Sequence, residues 1–183
     1  MNVDVAKASS IIPPWAVRVI IGRNPAWTLA RIAILILAVW VTFSYVITPP
    51  IRVTGISMQP TFFDGQINFL NRLAYLRRPP ERGDIVGIGG FNTSGHTTML
   101  LKRIVALPGE TIEFRFGKLY VDGKRIEEPY VKTRCDWGMA PERLAADEYY
   151  VVGDNREMAQ RDHVQGRAQR KQIVGKVVFG GRT

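Results

Sequence analysis

The uncharged run from Ile32 to Ile47 constrains this chain more than any other feature of its sequence. It reads IAILILAVWVTFSYVI, without a single charged residue. Residues 26–30 extend the run, and Arg31 alone interrupts it. The segment thus approaches the roughly 20 residues that an α-helix needs to cross about 30 Å of hydrocarbon, and Arg31 can extend its charge toward the interface. We therefore predict a transmembrane anchor over residues 28–48.

The charges that precede this segment predict its orientation. Four basic residues oppose one acidic residue there, namely Lys7, Arg18, Arg23 and Arg31 against Asp4. The positive-inside rule then places residues 1–27 in the cytoplasm and residues 49–183 on the outer face. A cleaved signal peptide would need a small-residue site after the apolar run, but Thr48-Pro49-Pro50 stands there. We expect an uncleaved, single-pass anchor.

The segment 49–183 is long enough for one domain with its own core. The whole chain has 183 residues and a formal net charge of +9. Such a basic balance suits either nucleic acid or anionic lipid. An anchor is predicted, and the basic residues are not clustered and interleaved with aromatic residues as in a nucleic-acid groove. We therefore predict contact with membrane lipid and no nucleic-acid partner.

After Pro49-Pro50 the sequence changes to short apolar runs separated by turns. Runs rich in Ile, Val, Phe and Tyr predict strands at 51–54, 66–70, 84–88, 98–106, 111–115, 118–121, 149–152 and 174–179. Phe116-Gly117 and Asp122-Gly123 predict tight turns. Residues 133–147 and 156–172 are polar and predict loop or short helix. No strand–helix–strand alternation is visible, so the fold class is mainly β: one N-terminal transmembrane helix, then an antiparallel β catalytic domain.

Two residues of this domain could perform chemistry together. Ser57 opens the run Ser57-Met58-Gln59-Pro60-Thr61, and Lys102 lies within the apolar run 99–106. A serine hydroxyl becomes a strong nucleophile when a base removes its proton. A lysine can be that base only if burial lowers its pKa toward neutrality. Taken singly, each has an ordinary interpretation, as a loop serine and as a lysine that protects an edge strand.

Five segments, in order, resemble those of type I signal peptidases, the membrane-anchored Ser-Lys enzymes that remove signal peptides from exported preproteins. They are the anchor and the segments GISMQPT (55–61), RGDIV (82–86), KRIVALPGE (102–110) and VGDNR (152–156). The resemblance implies that Ser57 is the nucleophile and Lys102 the general base. It implies signal peptides of preproteins as the partner and no cofactor. The sequence also has no His or Cys at metal-ligand spacing, so we predict no metal site.

The segments that lead into the two residues predict where substrate binds. An extended substrate between them would present alternate side chains to shallow apolar pockets formed by Ile51, Val53, Leu100 and Leu101. The resemblance implies that these pockets accept small residues at −1 and −3 of the cleavage site. Gly55 and Met58 complete the predicted oxyanion and substrate-binding set. Some family members carry a serine at the position of Gly55, so here the oxyanion hole must depend on backbone donors, chiefly the Ser57 N–H.

The last of the five segments departs from the family pattern. The family continues GDNRxxSxDSR, whereas residues 153–163 of this chain read GDNREMAQRDH. Without gaps, Ala159 replaces the serine, Arg161 the aspartate and His163 the arginine. We interpret Asp154 and Asn155 as a turn whose side chains bond their own backbone. With Pro60, Arg103 and Ala159 they form the predicted structural set near the site, and His163 is predicted to be structural or at the surface.

Together these features predict an active peptidase on the outer face of a bacterial-type inner membrane. We expect a monomer with the export machinery nearby. Ala159 and Arg161 keep open a catalytically decayed anchored β-domain that binds exported chains. A peptidase dedicated to one secreted substrate is a further alternative. The single cysteine, Cys135, cannot form an internal disulfide and is predicted to be a small filler or a surface thiol.

Overall fold

The structure is a computed structural model that describes residues 25–93, 96–162 and 166–178. The chain divides into a unit ending at Phe43 and a unit beginning at Ser44. Because residues 1–24 lie outside the described residues, the cytoplasmic segment 1–27 stays a prediction.

The first described element is an apolar helix. Helix α1 spans Pro25–Thr42, and a π-helical segment follows at Phe43–Ile47. Proline suits the first helical position because its missing N–H would have no partner there. The segment Ala26–Ile47 is 22 residues long, has a mean hydropathy of 2.1 and buries none of its residues in the protein. It therefore has the length and composition to cross a bilayer, which is consistent with the predicted anchor.

The second unit consists of short antiparallel strands. Eleven of them lie within the described residues: β1 Pro50–Arg52, β2 Ile67–Asn71, β3 Ile85–Thr93, β4 His96–Ala106, β5 Thr111–Arg115, β6 Lys118–Val121, β7 Lys124–Arg125, β8 Met139–Arg143, β9 Glu148–Val152, β10 Arg167–Gln169 and β11 Ile173–Val177. They form a seven-stranded sheet in the order β1-β2-β11-β3-β4-β9-β10 and a four-stranded sheet in the order β7-β6-β5-β8. The predicted fold class, an apolar helix followed by an antiparallel β domain, is confirmed.

The eight predicted strands correspond to β1–β6, β9 and β11. The prediction missed the two-residue strand β7, and it was wrong for β8 and β10, which lie in the two segments predicted as loop or short helix. Both occupy sheet edges, where β8 pairs only with β5 and β10 only with β9. An edge strand has one exposed side and commonly carries charged residues, so the sequences MAPER and RAQ lack an apolar strand pattern.

The two predicted hairpin turns are present. Phe116 and Gly117 have φ of 48° and 72°, and Asp122 and Gly123 have φ of 48° and 74°. Two successive positive φ values are the signature of a type I′ turn, whose twist matches that of the flanking strands. These turns fix the register of β5, β6 and β7, and β5 and β6 supply buried side chains to the core.

Three clusters of buried side chains form the core. One joins β5 and β6 to β9 and includes Phe114 and Trp137, whose rings meet edge to face at 5.4 Å. The second lies on one face of β3 and β4. The third contains Met58 and Leu70 and therefore packs the segment after Ser57 against β2 and β11.

Candidate active site

Ser57 lies in the loop that connects β1 to β2. Two backbone hydrogen bonds close this loop, from Val53 N–H to Gln66 O at 2.8 Å and from Gly65 N–H to Val53 O at 2.9 Å. Met58 is only 1% exposed and anchors the loop in the third core cluster. Ser57 itself is half-buried. The loop thus presents the serine at the surface while its two flanks are fixed to the core.

Gly55 shapes the backbone immediately before the serine. Its φ of +90° lies in the region that favours glycine. A Cβ here would meet no atom within 4 Å, so the backbone conformation rather than space favours glycine. The Gly55 N–H donates to Asp64 Oδ1 at 2.8 Å. The Ser57 N–H, by contrast, donates to no acceptor within the described ranges, which leaves it available to a substrate oxygen.

Lys102 lies within β4, on the face of the sheet that carries the second core cluster. Its direct partner on β3 is Val86, and strand alternation places Ile104 on the same face. Both neighbours are completely buried, and Lys102 is 3% exposed. Burial disfavours the ammonium form and lowers the pKa of Lys102 to about 8, while the charge of Asp154 acts in the opposite direction.

One edge of β4 next to Lys102 has no strand partner in the described part of the chain. β3 pairs with β4 through Leu100 and Leu101, but β9 pairs on the other side only from Arg103 onward. Leu101 packs at the border of the cluster that contains Met58. Ile51 borders the same cluster, and Val53 belongs to it. Three of the four predicted pocket residues, Ile51, Val53 and Leu101, therefore meet at this cluster, and the fourth, Leu100, is half-buried.

The segment after β9 connects the serine loop to the lysine strand. The Asn155 N–H donates to Ser57 O at 3.0 Å, and Asn155 Nδ2 donates to Ile56 O at 3.1 Å. β9 itself pairs with β4 through Val152 and Arg103, one residue beyond Lys102. The structure thereby brings the loop of Ser57 to the end of the strand pair that holds Lys102.

Asp154 is completely buried beside these residues. It accepts hydrogen bonds from Arg103 Nε at 2.8 Å and Nη2 at 2.6 Å, and from the Thr61 hydroxyl at 2.5 Å. The interpretation that Asp154 and Asn155 bond their own backbone was wrong in this respect, because their side chains bind two other segments, strand β4 and the serine loop. A carboxylate in this position is satisfied only because a guanidinium is buried with it.

Residues 26–180 match the family model described as "Signal peptidase, peptidase S26". The chain belongs to this family. Signal peptidase I of Bacillus amyloliquefaciens is 34% identical over 145 residues, which cover 73% of this chain and 72% of that protein. Signal peptidase I V of Bacillus subtilis (strain 168) is 31% identical over 163 residues, 81% of this chain and 94% of the other.

Two further proteins are similar to this chain. Signal peptidase I of Leptolyngbya laminosa is 32% identical over 128 residues, 67% of this chain and 63% of the relative's length. The crystal structure of a signal peptidase I from Enterococcus faecalis V583 superposes with a TM-score of 0.42 at 23% identity, covering 56% of this chain and 98% of that one. Relatives at 31–34% identity over most of the chain identify it as a signal peptidase I-type peptidase.

Sequence reasoning missed two residues of the candidate site, Glu128 and Tyr130, which contact Arg103 and Arg156 of the family segments. The Arg103 guanidinium lies 3.9 Å from the centre of the Tyr130 ring. Arg156, with a completely buried side chain, donates to the two carboxylate oxygens of Glu128 at 2.9 and 2.6 Å. Tyr130 in turn donates to Glu128 Oε1 at 2.6 Å. Glu128 and Tyr130 belong to no motif, and only the tertiary structure brings them to the site.

The positions that depart from the family pattern lie in the segment after Arg156. Ala159 is half-buried, and Arg161 is exposed in the short 3₁₀ helix Gln160–Asp162. Burial and Asp154 are the influences on the pKa of Lys102, and Arg161 is not among them. His163 lies outside the described residues.

Two remaining predictions concern residues that would bind metal or form disulfides. The described residues contain no group of three or more His, Cys, Asp or Glu side chains that could hold a metal ion. Cys135 is a free, half-buried thiol whose pKa is raised by burial.

Pro60, a member of the predicted structural set, follows Gln59 through a cis peptide bond in the serine loop and is half-buried.

Proposed function

We propose that this protein is a membrane-bound serine endopeptidase that removes N-terminal signal peptides from exported preproteins. In this proposal Ser57 is the nucleophile and Lys102 the general base. Membership of the signal peptidase family supports the substrate class. The observation that carries the chemistry is the burial of Lys102, because a pKa of about 8 leaves a useful fraction of the amine neutral near physiological pH.

The proposed reaction proceeds through an acyl-enzyme. Neutral Lys102 Nζ takes the hydroxyl proton as Ser57 Oγ attacks the scissile carbonyl carbon, and the carbonyl oxygen becomes an oxyanion. The Ser57 N–H is suited to stabilise that oxyanion. The C–N bond then breaks, and the leaving amine takes the proton from Lys102. Lys102 next removes a proton from water, whose oxygen attacks the carbonyl carbon of the Ser57 ester. The C–Oγ bond then breaks, Ser57 Oγ takes the proton back from Lys102, and the signal peptide leaves with a free carboxylate.

The substrate is proposed to bind as an extended strand between β1 and the open edge of β4. The β4 edge at Leu100 and Leu101 supplies backbone groups for pairing, while Ile51 and Val53 approach from the other side. The pockets between these side chains are proposed to admit small residues at −1 and −3.

The proposal includes the location of the enzyme. The helix Ala26–Ile47 would anchor it, with residues 1–27 in the cytoplasm and the catalytic domain on the outer face of a bacterial-type inner membrane. There it would contact lipid and act as a monomer near the export machinery.

A direct experiment is cleavage of a preprotein by the purified full-length chain in detergent. We expect release of the signal peptide at a single site by the wild type and no cleavage by Ser57→Ala or Lys102→Met. Lys102→Arg should also fail, because a guanidinium does not deprotonate. Near-normal cleavage by Lys102→Arg would refute the dyad, and processing of a preprotein whose −1 alanine is replaced by phenylalanine would refute the proposed pockets.

A second candidate is a decayed family member that binds exported chains without cleaving them. Ala159 and Arg161 favour it, since both depart from the pattern that other members carry near the base. Labelling of Ser57 by an acylating penem distinguishes the two candidates. Labelling that is lost in Lys102→Met supports the peptidase, whereas a wild type that is never labelled supports the decayed domain.

A further inference from the structure

Asn155 binds the two peptide groups that flank Ser57. Its side-chain Nδ2 donates to Ile56 O at 3.1 Å, and its backbone N–H donates to Ser57 O at 3.0 Å. Ile56 O and the Ser57 N–H belong to one peptide group, and Ser57 O and the Met58 N–H belong to the next. Asn155, which supplies both donors, is 8% exposed.

A trans peptide group points its C=O and N–H in opposite directions. Cis geometry in the described residues is confined to Gln59–Pro60, so both groups next to Ser57 are trans. Holding Ile56 O toward Asn155 therefore directs the Ser57 N–H away from it, and holding Ser57 O does the same for the Met58 N–H. Neither N–H donates to an acceptor in the part of the chain that the structure describes.

We infer that Asn155 is a positioning residue for the oxyanion hole: its side chain fixes the orientation of the Ser57 N–H. This inference rests on the proposed Ser57 and Lys102 chemistry. It matters in this chain because Gly55 supplies no side-chain hydroxyl, and its own N–H already binds Asp64. The hole then depends on backbone donors, whose value comes from being oriented before the reaction begins.

Substitution of Asn155 can remove the hydrogen bond from its side chain to Ile56 O without removing the one from its backbone N–H to Ser57 O. Asn155→Leu keeps nearly the same shape but removes one of the two donors to Ile56 O, so that only the Gln59 N–H at 3.1 Å remains there, while the Asn155 backbone N–H to Ser57 O is kept. The Ser57 peptide group is then held by one hydrogen bond fewer and can tilt, and a misplaced group in a catalytic site can cost about 100-fold in rate. We expect kcat to fall by roughly 10- to 100-fold with KM changed less than about twofold, since KM here reports ground-state binding to the pockets.

Three further measurements distinguish a positioning role of Asn155 from a general loss of structure in the variant. A peptide aldehyde, which Ser57 Oγ attacks to form a hemiacetal whose oxygen occupies the hole, should lose affinity by about the same factor as kcat. The midpoint of the acidic limb of the pH–rate profile should not move, because Lys102 is untouched. Asn155→Asp, which retains volume and polarity but loses the donor, should lose kcat as well at its plateau pH, so that the test does not depend on folding of the leucine variant.

Asn71→Leu is the matched control. The Asn71 side chain also holds a backbone group, accepting from Leu73 N–H at 2.9 Å at the end of β2, but none of its described contacts reaches the serine loop. Its kcat should stay within about twofold of the wild type. A kcat for Asn155→Leu and Asn155→Asp within threefold of the wild type, or a fall in kcat with unchanged aldehyde affinity, would overturn the inference alone. A wild type that does not cleave would overturn it together with the proposed function.

Discussion

Arg103 and Asp154 form a buried, bidentate ion pair beside Lys102, the candidate base. Arg103 Nε and Nη2 donate to the two oxygens of Asp154 at 2.8 and 2.6 Å, and Arg103 Nη1 also donates to Gly83 O at 2.9 Å. Arg103 follows Lys102 in β4, so the two cations point to opposite faces of the sheet. Asp154 is the charge that favours the ammonium form of Lys102, and Arg103 is the counter-charge of Asp154.

The first prediction is that this pair controls the pH dependence of the enzyme. In Arg103→Met, Asp154 loses its counter-charge, so the pKa of Lys102 should rise. The acidic limb of the pH–rate profile should then shift to higher pH by roughly one unit or more. Asp154→Asn should move the limb in the opposite direction. Both variants break a buried pair and should lose roughly 3–5 kcal/mol of stability. The measurements are pH–rate profiles and unfolding in detergent, and limbs that move in the same direction would contradict the electrostatic account.

The second prediction concerns the wild-type pH profile. A base must be neutral to accept the Ser57 proton, and the pKa of Lys102 is about 8. The value of kcat/KM should therefore rise with a single titration centred near pH 8, by about tenfold between pH 7 and pH 9. A preprotein without titratable residues near its cleavage site avoids a contribution from the substrate. A flat profile between pH 6 and pH 9 would argue against Lys102 as the base.

A site residue could be predicted from the sequence where a short run of neighbouring residues identifies it, and could not where contacts with distant segments place it. Ser57 and Lys102 each stand in a recognisable run, so their positions could be predicted before their surroundings were known. The partner of Lys102 across the sheet, Val86, depends on a register that no local pattern fixes. Glu128 and Tyr130 are harder still, because distant contacts alone determine what they bind.

The third prediction is that buried Lys102, the proposed base, lowers the free energy of unfolding. A pKa lowered from 10.5 to about 8 means that the folded state binds fewer protons than the unfolded state between these pH values. Stability should then rise with pH across that interval, and below it Lys102 costs about 3 kcal/mol. Lys102→Met should abolish activity yet raise the free energy of unfolding at pH 7 by up to that amount. The gain should shrink toward zero near pH 10.5, and a gain that does not depend on pH would show a packing effect instead.

The fourth prediction concerns the buried pair of Arg156 and Glu128. Arg156 has a completely buried side chain, so Glu128→Gln would leave its charge without a counter-ion and should cost roughly 3–5 kcal/mol. The neighbouring Glu127 offers a matched control, because its pair with Arg125 is largely exposed. Glu127→Gln should change stability by less than about 1 kcal/mol. Chemical unfolding of both variants provides the comparison, and equal losses would show that burial does not determine the strength of these pairs.

The last prediction concerns Ala159, where the family pattern has a serine. The resemblance implies that this serine can hydrogen-bond the base and hold it toward the nucleophile. A hydrogen bond of this kind contributes about 0.5–1.5 kcal/mol, so Ala159→Ser should change the rate by no more than roughly tenfold. By the same resemblance the alanine methyl would lie beside Lys102, where a hydroxyl would instead favour the ammonium form, so the acidic limb of the serine variant should move to higher pH. The pH–rate profiles of the wild type and Ala159→Ser decide the matter. A limb that does not move upward would show that Ala159 lies too far from Lys102 to affect it, and a wild type without activity at any pH would support the decayed β-domain.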